Sequence, residues 1–129
     1  MKRFGIFLTF NGKCRQALKH YQKCFGGELT LQIVGDMPDS ENCSKAMKKV
    51  VVSAVLTNKY FKVVGTDLAD NYGVVFGNNI GILVECISDA DRNRINDFLS
   101  GGKNDDNATG DNLINVTDKY KVNWILIIK

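Results

Sequence analysis

The sequence is poor in the residues that most often carry chemistry: it has one histidine, one tryptophan and one proline in 129 residues. A single histidine leaves a Ser-His-Asp triad or a Cys-His dyad without supporting context. His20 falls on the polar side of an amphipathic segment, where a solvated surface histidine is the expected reading. The four cysteines, Cys14, Cys24, Cys43 and Cys86, form no C-x-x-C pair and no metal-site spacing. That pattern argues against a disulfide frame and for reduced core thiols. No apolar run approaches the ~20 residues of a membrane span. The opening MKRFGIFLTFNGK joins a basic start to an apolar run, but Gly5 and Thr9 interrupt it and no small-x-small cleavage site follows. It reads as a first strand, not a signal peptide. The net charge of +3 comes from scattered lysines, without the clustered basic stripe and interleaved aromatics of a nucleic-acid binder. A cytoplasmic protein that binds neither nucleic acid nor membrane is expected.

What is present is an ordinary globular composition, 44% hydrophobic and 24% charged, in a chain long enough for one domain with a core. Residues 4–34 organise it. Residues 4–10 alternate as a strand, with Phe4, Ile6, Leu8 and Phe10 on one face. Cys14, Ala17, Leu18, Tyr21, Cys24 and Phe25 then follow a 3.6-residue period and predict a helix, with Lys13, Arg15, Gln16, Lys19, Gln22 and Lys23 outward. Asn11 or Gly12 is placed to cap its start, and Gly26-Gly27 to end it in the left-handed conformation. A second strand is expected at about 28–34 and a loop at 35–48. The β-branched 49–57 and the segment 60–66 predict two more strands around an Asn58-Lys59 hairpin turn. After a loop at 67–78 come a strand at 79–87 and a helix at 90–99, with Ile95, Phe98 and Leu99 inward and Ser88 or Asp89 as cap. A closing hairpin is expected from 113–117, a turn at 118–121 and 122–129.

Strand, helix, Gly-Gly thus occurs twice, about 75 residues apart. Two copies of a strand-helix-strand-strand-strand unit fit this order, one at about 1–68 and one at about 79–129. Residues 103–112 (KNDDNATGDN) occupy the place of the second copy's second strand with almost no strand propensity. The partial calcium-loop pattern Asp105, Asn107, Thr109, Gly110 lacks its closing glutamate and flanking helices, so a loop is the better reading. Asp36, Glu85 and Asp118 are the carboxylates nearest strand ends. Glu85 sits in an apolar strand, as a cleft carboxylate or, more in keeping with an open sheet face, a solvated one. Cys86 beside it reads as a small core hydrophobe. Trp124, in an apolar strand, reads first as core and second as a pocket wall or dimer anchor.

The segment FLTFNGKCRQALKHYQKCFGGEL, the GDMP at 35–38, VLT at 55–57, GTD at 65–67 and the closing VTDKYKVNWILI resemble the PhnB-like branch of the vicinal oxygen chelate superfamily. Glyoxalase I, bleomycin resistance proteins and extradiol dioxygenases belong to that superfamily. The resemblance runs along nearly the whole chain. It implies an α+β fold of paired βαβββ modules, whose curved mixed sheets enclose a cleft with helices outside, usually in a homodimer. Metal-dependent members hold a divalent ion with His and Glu from four strands, for Lewis-acid chemistry. The corresponding positions here are Gly5 or Ile6, Val55, Asn79 and Ile125, so no metal and no cofactor is expected. Relatives often carry an aromatic pair before the VTDK turn, and this chain has none there. The implied pocket candidates are Ser53, Val55, Asn79, Glu85 and Trp124. The expected function is metal-free small-molecule binding in the cleft. A glyoxalase- or dioxygenase-type enzyme with non-standard ligands and a structural homodimer with a vestigial cleft are the alternatives.

Overall fold

Helix α1 (Cys14–Phe25) buries Cys14, Ala17, Leu18, Tyr21 and Cys24, the face its periodicity predicts. It lies on a four-stranded sheet of β1 (Ile6–Thr9), β2 (Glu28–Ile33), β3 (Val51–Thr57) and β4 (Lys62–Thr66), in the order β1-β4-β3-β2. These elements belong to a computed structural model that describes residues 1–69, 73–102 and 113–129. The chain divides into two compact units, Met1–Val74 and Val75–Lys129. Strand β1 runs parallel to β4, while β2, β3 and β4 are antiparallel in succession.

Residues opposite each other on adjacent strands project to the same face. The register Leu29↔Leu56↔Val63↔Ile6 and Leu31↔Ala54↔Gly65↔Leu8 therefore forms the face under α1. Ala54 and Leu56 are fully buried there. The closest approach is at Gly65, where a Cβ would stand 2.8 Å from Cys14 Sγ and 2.8 Å from Leu18 Cδ2. Only glycine admits the helix at that distance.

The second unit repeats this plan. Strand β5 (Ile82–Cys86) is parallel to β7 (Asn123–Ile128), which is antiparallel to β6 (Leu113–Thr117), in the order β5-β7-β6. Helix α3 (Asp89–Ser100) buries Ile95 and Leu99, while Phe98 is half-buried. The Ser88 hydroxyl accepts the Asp91 N–H at 3.1 Å, and the Asp91 carboxylate accepts the Ile87 N–H at 3.1 Å. The Ser88 hydroxyl on the Asp91 N–H decides between the two expected cap residues in favour of Ser88. Gly101 closes the helix at φ 69°. The expected strand gap and calcium-like pattern at 103–112 lie outside the described residues.

Four expectations are corrected. Helix α1 has Lys13 at its N-cap position with no side-chain bond. Its first N–H, that of Cys14, is instead accepted by the Asp67 carboxylate at 2.9 Å, so neither Asn11 nor Gly12 is the cap. Within 35–48 the chain turns through two 3-10 segments, Val34–Asp36 and Ser40–Asn42, and a short helix α2 (Lys45–Lys48) capped by Ser44. The β3–β4 turn spans 58–61, because the Asn58 side chain accepts both the Tyr60 and Phe61 N–H groups at 2.8 and 3.1 Å. That bonding consumes donors a two-residue hairpin would leave to the ladder. Strand β5 begins at Ile82, not at 79, because the Asn123 amide binds the Gly77 and Ile80 carbonyls at 2.9 and 3.3 Å and holds that segment in a loop.

Among the described residues no helix is long and apolar enough to cross a membrane. Cys14, Cys24 and Cys86 are buried and Cys43 half-buried, all as free thiols. Burial, with the Asp67 carboxylate second, pushes the Cys14 thiol up to about 12. Burial raises Cys86 as well, helped by Asp91.

Candidate functional site

Among the described residues, each sheet carries its unit's long helix on one face and leaves the other face clear of that helix. On the first sheet that open face follows from the register Thr30↔Val55↔Val64↔Phe7, flanked by Gln32↔Ser53 and by the Thr9↔Thr66 pair, of which Thr66 is buried with its hydroxyl bonded to Val51 and Leu68. It mixes hydroxyls with small branched apolar groups around Val55, and Phe7 is 66% exposed on it. On the second sheet Leu83↔Ile125 and Glu85↔Ile127 share the open face with Asn115, Thr117 and Asn123. Such faces suit a ligand that is mostly apolar with a few polar groups.

The five pocket candidates separate. Ser53 and Val55 lie on the open face of the first sheet, both half-buried. Glu85 lies on the open face of the second sheet and pairs with Lys129 at 3.6 Å. Asn79 is exposed in the loop before β5. Trp124 projects to the face shared with α3, is 3% exposed, and donates its indole N–H to Asp118 at 2.9 Å. The structure thus brings Ser53 and Val55 together in one unit, and places Glu85 and Trp124 on opposite faces of the other.

The donor set does not fit the divalent ion of the metal-dependent superfamily members. Val55 and Ile125 are hydrocarbon, and neither Gly5 nor Ile6 offers a side-chain donor. Among the described residues no three His, Cys, Asp or Glu side chains are grouped to hold an ion. No metal-dependent step is therefore derived.

The sequence reading missed a second internal repeat, Val-Leu-Thr-Asn-Lys-Tyr at 55–60 and Asn-Val-Thr-Asp-Lys-Tyr at 115–120. The structure places both copies at the same hairpin of their unit. Asn58 and Asp118 each fold back on the backbone of their turn, Asp118 accepting from Tyr120 at 2.8 Å and Val122 at 3.1 Å. Lys59 and Lys119 lie over the rings of Tyr60 and Tyr120, at 4.9 and 5.2 Å from the centroid. Alignment of the chain with itself at that shorter offset would have found it.

No family model and no curated protein matches the chain. Solved structures do match. The protein PA1353 of Pseudomonas aeruginosa is similar at 23% identity, with a TM-score of 0.75 over 98% of each chain. A PhnB protein from Bacillus cereus, which carries the provisional name 3-demethylubiquinone-9 3-methyltransferase, is similar at 20% identity. Its TM-score is 0.72, over 99% of this chain and all of that one. The chain has the PhnB-like fold. The order β1-β4-β3-β2, echoed by β5-β7-β6, is that fold's paired-module plan as the sequence resemblance implied it. At these identities the likeness is one of architecture, and the open faces carry this chain's own residues.

Proposed function

We propose that this PhnB-like chain binds a small, largely apolar molecule without a metal, on the open face of its first sheet, as a cytoplasmic homodimer. The observation that carries the reading is the composition of that face. Val55 and Val64 lie side by side in register, bordered by Thr30 and Ser53. A hydrocarbon patch edged by hydroxyls favours burial of an apolar ligand and orients it through a few hydrogen bonds. Val55 occupies a position where metal-dependent superfamily members place a ligand to the ion, so the same surface there serves contact rather than coordination. Methyl transfer, suggested by the name of the Bacillus cereus protein, has no support in a Gly-rich cofactor loop after a strand of this sequence.

The test uses two measurements on the whole chain. Elemental analysis after incubation with Ni, Zn, Mn and Fe(II), then desalting, is expected to find no stoichiometric metal; a stoichiometric ion overturns the reading. Titration with the neutral fluorophore N-phenyl-1-naphthylamine is expected to saturate and to be lost in Val55→Arg. Binding that Val55→Arg leaves unchanged places the apolar ligand elsewhere and rejects this face.

A further inference from the structure

The second unit holds a feature that the open-face reading does not use. Its β6–β7 turn contains Lys121, whose backbone sits at φ 70°, the non-glycine residue with positive φ among those described. The related β3–β4 turn manages the same strand reversal in 58–61 without such a residue. The difference is one extra position: β3 and β4 are separated by 58–61, β6 and β7 by 118–122. An L-residue in the left-handed region is strained, and glycine or asparagine is the usual occupant. The hairpin geometry requires it: Lys121 N–H closes the turn on the Asp118 carbonyl at 3.0 Å and Asp118 N–H pairs with the Val122 carbonyl at 3.0 Å, so the position after the turn must be left-handed, and here a lysine fills it.

Lys121 lines an open groove of about 490 Å³ with Phe76, Gly77, Asn78, Thr117 and Asn123. The groove is open to solvent, and its lining mixes polar and apolar groups. The groove is built rather than incidental. The Asn123 amide ties down the 77–80 loop through the Gly77 and Ile80 carbonyls at 2.9 and 3.3 Å, and its oxygen accepts the Thr117 hydroxyl at 2.8 Å. Both walls are thereby fixed to one side chain. The carboxylate of the same turn, Asp118, is 4% exposed and accepts N–H groups from Tyr120, Val122 and Trp124. The Lys121 ammonium has no ion-pair partner among the described residues. The lining also includes Phe76, 55% exposed.

We propose that this groove binds a small aromatic carboxylate, with the Lys121 ammonium holding the anion and the Phe76 ring stacked on the aromatic body. A single ammonium suits a monoanion. Phosphate dianions are more often met by an Arg fork or a nest of backbone N–H groups; the groove's lining holds no arginine, and the Tyr120 and Val122 N–H groups of its turn are already taken by Asp118. The lining residues of this groove all belong to the second unit, and the open face of the first sheet belongs to the first.

Benzoate, its neutral isostere benzamide and phenyl phosphate are the probes, followed by amide chemical shifts of the isotopically labelled full chain. Benzoate is expected to shift the amides of 76–78 and 117–123 saturably, and benzamide to bind at least about tenfold more weakly, the scale of one charge-assisted contact. Lys121→Gly is expected to lose benzoate binding while its melting temperature rises, because glycine relieves the left-handed strain. Lys121→Arg restores the cation and with it the binding. Equal binding of benzamide, or benzoate binding retained in Lys121→Gly, overturns the proposal. Tighter binding of phenyl phosphate than of benzoate overturns the ligand class.

Discussion

The carboxylate of Asp67 accepts the backbone N–H of Cys14 at 2.9 Å across a sequence separation of 53. One aspartate just beyond β4 thereby closes the N-terminus of α1, where its negative charge also meets the positive end of the helix. Its other oxygen accepts the Val51 N–H at 3.4 Å, at the start of β3. Helix, central strand and β4 are joined at one side chain. Asp67→Ala is expected to lower stability by about 1–2 kcal/mol, the usual scale of an N-cap. Urea unfolding followed by circular dichroism checks it. An Asn11→Ala change, at the residue that looks like the cap in sequence, is expected to leave the midpoint unmoved.

The Cys14 thiol stands beside that cap, raised from 9.0 to about 12, first by burial and then by Asp67. Its folded form holds a proton that the unfolded chain releases above its ordinary value. The stabilising contribution is therefore complete below pH 9 and is lost as pH rises toward 12. Melting temperatures across that alkaline window should fall, and Cys14→Ser should flatten part of the decline. At neutral pH a thiol reagent should label Cys43 first, since Cys14, Cys24 and Cys86 are buried.

Gly65 leaves the space that Cys14 and Leu18 of α1 fill, with both side chains 2.8 Å from where a Cβ would be. Gly65→Ala is expected to push the helix from the sheet and cost about 1–3 kcal/mol, the range for overpacking a filled core. A stability gain, as follows from Gly→Ala at an unstrained open position, would contradict the packing described here. Thermal unfolding decides between them.

Asn58 and Asp118 do the same work in the two related turns, but Asp118 is buried and also holds the Trp124 indole. Removing Asp118 leaves several buried donors without an acceptor, each costing roughly 1–3 kcal/mol. Asp118→Ala is therefore expected to destabilise the second unit much more than Asn58→Ala destabilises the first. Trp124 is the one tryptophan, so its emission reports on this hairpin alone. A red shift should accompany Asp118→Ala and be absent in Asn58→Ala.

Much of this architecture was legible because it is written in local periods. The 3.6-residue spacing of Cys14, Ala17, Leu18, Tyr21 and Cys24 marks a helix face wherever the helix packs. The β-branched run at 51–57 and the apolar run at 123–128 mark strands by local composition, and Gly-Gly marks where each helix stops. The burial of Cys14, Cys24 and Cys86 followed from those periods too. The candidate site was legible only in part. Ser53 and Val55 share a face because they are two apart on one strand, which a sequence states directly. That Trp124 points away from Glu85 depends on which strands pair and in what register.

The sequence by itself determined the two long helices and the cores of the strands, because neighbouring residues settle those choices through spacing and backbone preference. The short helix at Lys45–Lys48 and the start of β5 were not legible there. Only the tertiary structure decided that Asp67 caps α1, that Asp118 takes the Trp124 indole and that Lys121 borders a groove with Phe76. Those relations depend on which distant segments meet, and close packing, not local propensity, selects the partners.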